Sequence, residues 1–196
     1  RLESVLDKEL SSNDNYKIIF NDFLKQDISL DIKEYNYKKV YVVANLPYYI
    51  TTPIITKLMD EIYPDKIIIM IQEEVADRLS AKHGNREYGM ISVLLGARYD
   101  IKKLFRVNRN CFYPVPNVDS AVISLNKNNK YNIKDMKKFE RLIKDSFQYK
   151  RKNLRNNLKN YNLDVINKIL QENNYNLGNR AEEIPIYVYV EIANNL

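Results

Sequence analysis

Asn45, Leu46, Pro47 and Tyr48 stand in a row, and together they could activate an aromatic amine. The exocyclic amine of a purine is a poor nucleophile because its lone pair is delocalised into the ring. Two acceptors aimed at its hydrogens, the Asn45 side-chain oxygen and the Leu46 backbone carbonyl, would favour a tetrahedral nitrogen with a free lone pair. Acceptors of this kind act where charge develops in the transition state. Pro47 has no N–H and a fixed φ, so the turn is stiff. The ring of Tyr48 would stack on the base, which contributes about 1–3 kcal/mol for one base. Its hydroxyl has no part in this scheme. The plainer reading is a loop with a turn asparagine and a packed tyrosine.

Such a turn must be held by regular structure on both sides. Val40 to Ala44 is an unbroken apolar run, as expected for a strand buried on both faces of a parallel sheet. Downstream, Thr52 suits a helix N-cap and Pro53 the first helical position, with Ile54, Ile55, Leu58, Met59 and Ile62 on one face. The four residues then fall at the carboxyl end of a strand, where open α/β sheets bind their ligands.

Taken in order, the chain opens with an amphipathic helix over Arg1–Leu10, with Leu2, Val5, Leu6 and Leu10 on one side. A polar turn follows over Ser11–Asn15, then a short strand at Lys17–Phe20 closed by Asn21, Asp22 and Phe23. Lys66–Ile71 reads as a second buried strand, Gln72–Ser80 as a helix with Val75, Ala76 and Leu79 inward, and Tyr88–Tyr99 as a mostly apolar helix. Ile101–Val107 and Val118–Leu125 read as an antiparallel pair closing the sheet. Between them, Pro114 and Pro116 stiffen a connection that could hold Phe112 opposite Tyr48, sandwiching an extruded base. The alternative for Phe112 is a hydrophobic plug under the loop. The polar run Asn126–Asn132 marks a boundary, beyond which Ile133–Tyr149, Lys152–Leu158, Asp164–Gln171 and Ile184–Asn194 have helical character. Phe139, Leu142, Ile143 and Phe147 are spaced for its core. The expected domains are therefore 1–126 and 127–196.

Charge divides the chain in the same place. Residues 1–126 hold 17 basic and 17 acidic side chains, whereas residues 127–160 hold 12 and 3. A basic block of that density is an electrostatic footprint for nucleic acid, the alternative being a solvated helix face. Lys150, Arg151, Lys152 and Arg155 are the residues placed to contact phosphates. One cysteine excludes an internal disulfide and suits a reducing, cytoplasmic setting, and Cys111 reads as a small packed residue beside Phe112. His83 lies in a polar stretch and reads as an exposed loop residue. With one His and one Cys, a zinc site is not expected. No apolar run has the length of a membrane span.

Three ordered motifs carry a resemblance. ANLPYYITTPII, from Ala44 to Ile55, resembles the (Asn/Asp)-Pro-Pro-Tyr signatures of amino-group methyltransferases, and in its full length the KsgA (RsmA) family of small-subunit ribosomal RNA adenine dimethyltransferases. Phe112 to Val122 resembles that family's F-x-P-x-P-x-V-D-S-A-V run. Ser146 to Leu154 is similar to its S-F-x-x-R-R-K-x-L helix, with Lys150 in place of the first arginine. The likeness continues through Arg180-Ala181-Glu182-Glu183 and covers essentially the whole chain.

The resemblance implies an α/β fold, a Rossmann-like class I methyltransferase sheet followed by a small all-α domain that binds RNA. It implies S-adenosylmethionine as cofactor, with Asp22 accepting a hydrogen bond from the cofactor's adenine, Phe23 packing beside it and Asn45 nearby. The alternative for Asp22 is an Asx turn. The implied substrate is a pair of adjacent adenosines in a hairpin loop near the 3′ end of 16S ribosomal RNA, within the small subunit or its precursor, and the implied state is a monomer tied also to subunit assembly. The glycine-rich cofactor loop that opens such enzymes has no counterpart among Gly84, Gly89, Gly96 and Gly178. The expectation is therefore an N-terminally incomplete chain, inactive as a fragment. Two other readings compete: a non-catalytic assembly or RNA-binding factor, and the 23S ribosomal RNA methyltransferases of macrolide resistance. The latter normally read Asn-Ile-Pro-Tyr, so Leu46 favours the 16S enzyme.

Overall fold

The structure, a computed structural model, describes residues 2–10 and 15–196. Contacts divide the chain into two units, one of Arg1–Lys38 with Ile50–Tyr63, the other of Lys39–Tyr49 with Pro64–Leu196.

The first unit carries helices α1 (Leu2–Leu10), α2 (Ile28–Lys33) and α3 (Thr51–Glu61). On α1, Val5 is exposed while Leu6 and Leu10 are half-buried. The Leu2 side chain lies outside the described residues, as do positions 11–14 of the expected polar turn. The strand expected at Lys17–Phe20 does not form, and Ile19 and Phe20 are exposed. A strand exists through its ladder, and among the described residues nothing pairs with this segment. Asp27 caps α2, accepting from Leu30 N at 3.1 Å and from Ser29 Oγ at 2.7 Å. Those hydrogen bonds, the one from Ser29 above all, hold its carboxyl below the usual range. Glu61 of α3 accepts from Ile28 N at 3.0 Å and pairs with Lys57, which ties α2 to α3.

Helix α3 begins before the expected cap at Thr52. A 3-10 turn at Tyr48–Ile50 winds directly into Thr51, and Pro53 falls inside the first turn, where a missing N–H is not needed. Ile54, Ile55, Leu58 and Met59 are buried.

The second unit holds a four-stranded sheet in the order β1-β2-β4-β3, formed by β1 (Tyr41–Asn45), β2 (Lys66–Gln72), β3 (Tyr99–Val107) and β4 (Ser120–Lys127). β1 and β2 run parallel, with Asn45 opposite Met70. β4 enters antiparallel between β2 and β3, with a bulge in β3 between Lys103 and Phe105. β2 is buried on alternate residues, and Ile67, Ile69 and Ile71 are fully covered. β1 departs from the expectation of burial on both faces, since Tyr41 is 62% and Val43 78% exposed. Val42 and Ala44 are half-buried, so the run alternates between a partly covered and an open face.

Helix α4 (Glu73–Ser80) follows β2 without a loop, and Ala76 and Leu79 face inward. The helix expected over Tyr88–Tyr99 is shorter, α5 spanning Met90–Gly96, because Tyr99 opens β3. Ser92 Oγ accepts from Gly89 N at 3.0 Å at its start and donates to Arg78 O at 2.6 Å, joining α5 to α4. The buried hydroxyl of Tyr99 donates to Pro64 O at 2.9 Å.

The C-terminal helices are α6 (Met136–Ser146), α7 (Leu154–Asn157), α8 (Leu163–Glu172) and α9 (Ile186–Asn195). Asp135, Asn153 and Asn162 cap the first three through their side chains. Phe139, Leu142, Leu154, Ile166, Leu170 and Tyr189 form one apolar cluster, which also takes in Val93 and Ala97 at α5. Gly96 faces α9, where a Cβ would lie 2.7 Å from the tip of the Ile186 side chain. Arg98, 8% exposed, is paired with Glu140 of α6. No helix among the described residues is long and apolar enough to cross a membrane.

Candidate functional site

Asn45 is the last residue of β1, and the ladder continues one step beyond it through Leu46 N, which donates to Met70 O at 3.2 Å. Leu46 is buried, which turns its neighbours outward: Asn45 and Pro47 are exposed and Tyr48 half-covered. Among the described residues the Asn45 side-chain amide has no hydrogen-bond partner, so its oxygen is available to a bound molecule. These four residues line one side of an open cleft of about 360 Å³, and Phe112, Tyr113, Pro114 and Pro116 line the other. The structure thus brings together the turn and the proline-stiffened loop that the sequence placed opposite each other. Phe112 is half-buried and Tyr113 fully exposed; the Tyr113–Pro114 peptide is cis.

Two polar residues that the sequence reading passed over fix the walls. Ser120 is fully buried, and its Oγ lies 2.8 Å from the Tyr48 hydroxyl in a hydrogen bond. The hydroxyl of Tyr48 therefore has a partner within the protein. Asp119 Oδ1 accepts from Arg109 N at 2.8 Å, its Oδ2 pairs with Arg106, and its carbonyl accepts from Glu73 N at 3.0 Å. The Arg109 N–H and the Arg106 guanidinium hold the Asp119 carboxyl below the usual range. Arg106 Nε also meets Glu73 at 2.9 Å, and Lys103 bridges Glu73 and Asp77, each at 2.9 Å. Pairing with those carboxylates, Glu73 first, raises the Lys103 ammonium above its usual value. Both Asp119 and Ser120 lie in the motif run, yet only the sheet order shows what they touch.

Cys111 corrects another expectation. It ends a 3-10 turn at Arg109–Cys111 and is exposed, because that turn runs over the surface rather than beneath the loop. His83 is an exposed loop residue.

Asp22 opens a turn by itself. Its carbonyl accepts from Lys25 N at 2.9 Å and from Gln26 N at 3.2 Å, and its Oδ1 accepts from Leu24 N at 3.0 Å. This is an Asx turn. Among the described residues Oδ2 has only a loose contact, 3.9 Å from Lys25 Nζ, and Phe23 beside it is exposed.

Lys150, Arg151, Lys152 and Arg155 are all exposed. Helix α6 ends at Ser146, short of the expected Tyr149, and α7 begins only at Leu154. The intervening loop carries the first three of these cations. It is pinned from below by Asn157, 8% exposed, whose Nδ2 donates to Ser146 O at 2.7 Å and reaches Tyr149 O at 3.4 Å. Lys152 N donates to Tyr149 O at 2.9 Å. Charge on a fixed loop can follow a phosphate backbone without side-chain rearrangement.

Comparisons with known proteins give the chain's kinship. A family described as "Ribosomal RNA adenine dimethylase" matches residues 1–196. The chain is 39% identical to ribosomal RNA small subunit methyltransferase A of Bacillus licheniformis over 207 residues, covering all of this chain and 71% of that protein. The same figures over 208 residues hold for its namesake in Bacillus pumilus. Among solved structures, a dimethyladenosine transferase from Plasmodium falciparum superposes with a TM-score of 0.75 at 21% identity, over 96% of this chain and 76% of that one. The 23S rRNA methyltransferase ErmE gives 0.74 at 20%, over 100% and 78%. At those identities the two structures speak for the fold, a methyltransferase sheet with helices. The family match and the identity over the full chain speak for kinship, and the chain belongs to the ribosomal RNA adenine dimethylase family.

Proposed function

We propose that this chain carries the base-holding slot and an RNA grip of an adenine-N6 dimethyltransferase that modifies small-subunit ribosomal RNA. The observation that carries the reading is the cleft in which Asn45–Tyr48 face Phe112. A flipped adenine would enter with its faces toward Tyr48 and Phe112 and its amine toward Asn45 Oδ1 and the Leu46 carbonyl. Those acceptors take the two N–H groups and leave the nitrogen lone pair directed outward. After one methylation a single N–H remains, so one acceptor suffices for the second. Pro47 keeps the turn from relaxing.

S-adenosylmethionine would supply the electrophilic methyl group. Asp22 Oδ2 and Phe23 fit its adenine in chemistry, and Asn45 would serve that side as well as the base. The division of labour would follow residues 1–126 for chemistry and 127–196 for RNA, with Lys150, Arg151, Lys152 and Arg155 on phosphates. Two adjacent adenosines in a hairpin loop near the 3′ end of 16S rRNA are the proposed target, with the protein acting as a monomer. The 39% identity to a small-subunit methyltransferase A over the whole chain favours this over a 23S target.

The test is methyl transfer by the full-length protein to small and large ribosomal particles lacking adenine dimethylation, with dimethyladenosine counted by mass spectrometry. Dimethylation confined to the small particle is expected. Transfer only to the large particle would move the target to 23S rRNA, and RNA binding without transfer would leave an assembly factor.

A further inference from the structure

Asp119 and Ser120, at the head of β4, touch both walls of the slot. Ser120 opposes Gln72 at the end of β2 and Val107 at the end of β3, so its backbone is fixed by strands on either side. Its buried Oγ reaches across to the Tyr48 hydroxyl at 2.8 Å. Asp119, one residue earlier, holds the Phe112 loop through Arg109 N at 2.8 Å and the head of α4 through Glu73 N at 3.0 Å. Asp119 lies just before β4 and Ser120 opens it, and the two neighbours serve two different segments.

Tyr48 sits in a three-residue 3-10 turn that leaves its ring half-covered. A ring held only by one short turn can swing about χ1 and χ2; anchoring its tip removes most of that freedom. Stacking needs only the ring, so the anchored hydroxyl calls for a different explanation. We infer that Ser120 is a positioning residue, which through the Tyr48 hydroxyl sets the tilt of the Tyr48 ring across the slot from Phe112. The spacing in which the target base is held then depends on a residue that never touches it. This rests on the slot being the base-binding site.

The experiment is a double-mutant cycle in the full-length protein, using Tyr48→Phe, Ser120→Ala and the pair together, with kcat and KM for the RNA substrate measured separately. Each single variant should lower kcat by about 3–10-fold, the range that one hydrogen bond supports, with KM little changed. The double variant should lose no more than either single, because both remove the same bond. Losses that multiply in the double variant, or a full-rate Tyr48→Phe, would overturn the inference. Ser120 is buried, so thermal unfolding is followed alongside; should Ser120→Ala fail to fold, Tyr48→Phe alone decides, full kcat overturning the inference and a fall at unchanged KM supporting it. Asn45→Ala is assayed in parallel. If that variant turns over at the parent rate, the slot reading itself fails; if only the cycle is additive, the slot stands and Ser120 is simply packed.

Discussion

From within the helical core, the Asn157 side-chain amide donates to the Ser146 carbonyl at 2.7 Å, across the loop that carries Lys150, Arg151 and Lys152. The same nitrogen reaches Tyr149 O at 3.4 Å, so one buried amide holds both the end of α6 and the middle of the loop. Asn157→Ala leaves a buried carbonyl unsatisfied, at a cost of about 1–3 kcal/mol. The melting temperature should fall by about 2–4 °C for each of those kcal/mol. RNA affinity at low salt should fall with it, because the charges no longer sit in one geometry. Calorimetry and filter binding on the same preparations check both. Unchanged affinity would detach the loop from RNA binding.

The cations themselves make a separate claim. Lys150, Arg151, Lys152 and Arg155 are exposed. Each that contacts a phosphate should contribute about 0.7–0.9 to the slope of log affinity against log salt. Arg151→Ala and Lys152→Ala should each flatten that slope by this amount while leaving sequence preference alone. A line that superimposes on the parent's, with slope unchanged, would assign these residues to the solvated surface.

Asp119 predicts a pH dependence with a definite sign. Its carboxyl is held below its ordinary value of 3.8, first by the Arg109 N–H and then by Arg106. A carboxyl depressed in the folded state adds stability at pH values above its unfolded pKa, and that stability is lost as the pH falls through the folded pKa. Asp119→Asn should therefore lower the melting temperature at pH 7, and the gap to the parent should close as the pH drops below about 4. A gap that stays constant from pH 7 to pH 2.5 would show that the ionised carboxyl contributes nothing.

Much of the site was legible because its parts are local. The apolar run before Asn45, the proline in the turn and the two prolines around Val115 are each read within a dozen residues, and the three prolines do line one cleft. What lay hidden was non-local. The bond between Tyr48 and Ser120 joins residues 72 apart in the chain, and it follows from β4 entering beside β2, which no local pattern states. Alternation of Ser120, Val122 and Ser124 marks a face without naming the partner. Lys17–Phe20 failed for the converse reason: local strand propensity was present, and among the described residues no partner strand was. At Cys111 residue type suggested burial, whereas a surface 3-10 turn exposes it.

The central claim is that Asn45 acts on the amine during methyl transfer and not on RNA capture. Its side chain stands exposed at the end of β1, beside the slot and without a partner among the described residues. Replacing it by alanine removes an acceptor that matters most as the nitrogen becomes tetrahedral. The measurement is single-turnover formation of dimethyladenosine on unmodified small subunits by the full-length Asn45→Ala protein, with RNA affinity determined alongside. The rate should fall by about 10²–10³-fold while the affinity stays within a factor of about two, by analogy with loss of one oxyanion-hole donor. Methylation at the parent rate would contradict the account and leave Asn45 a turn residue.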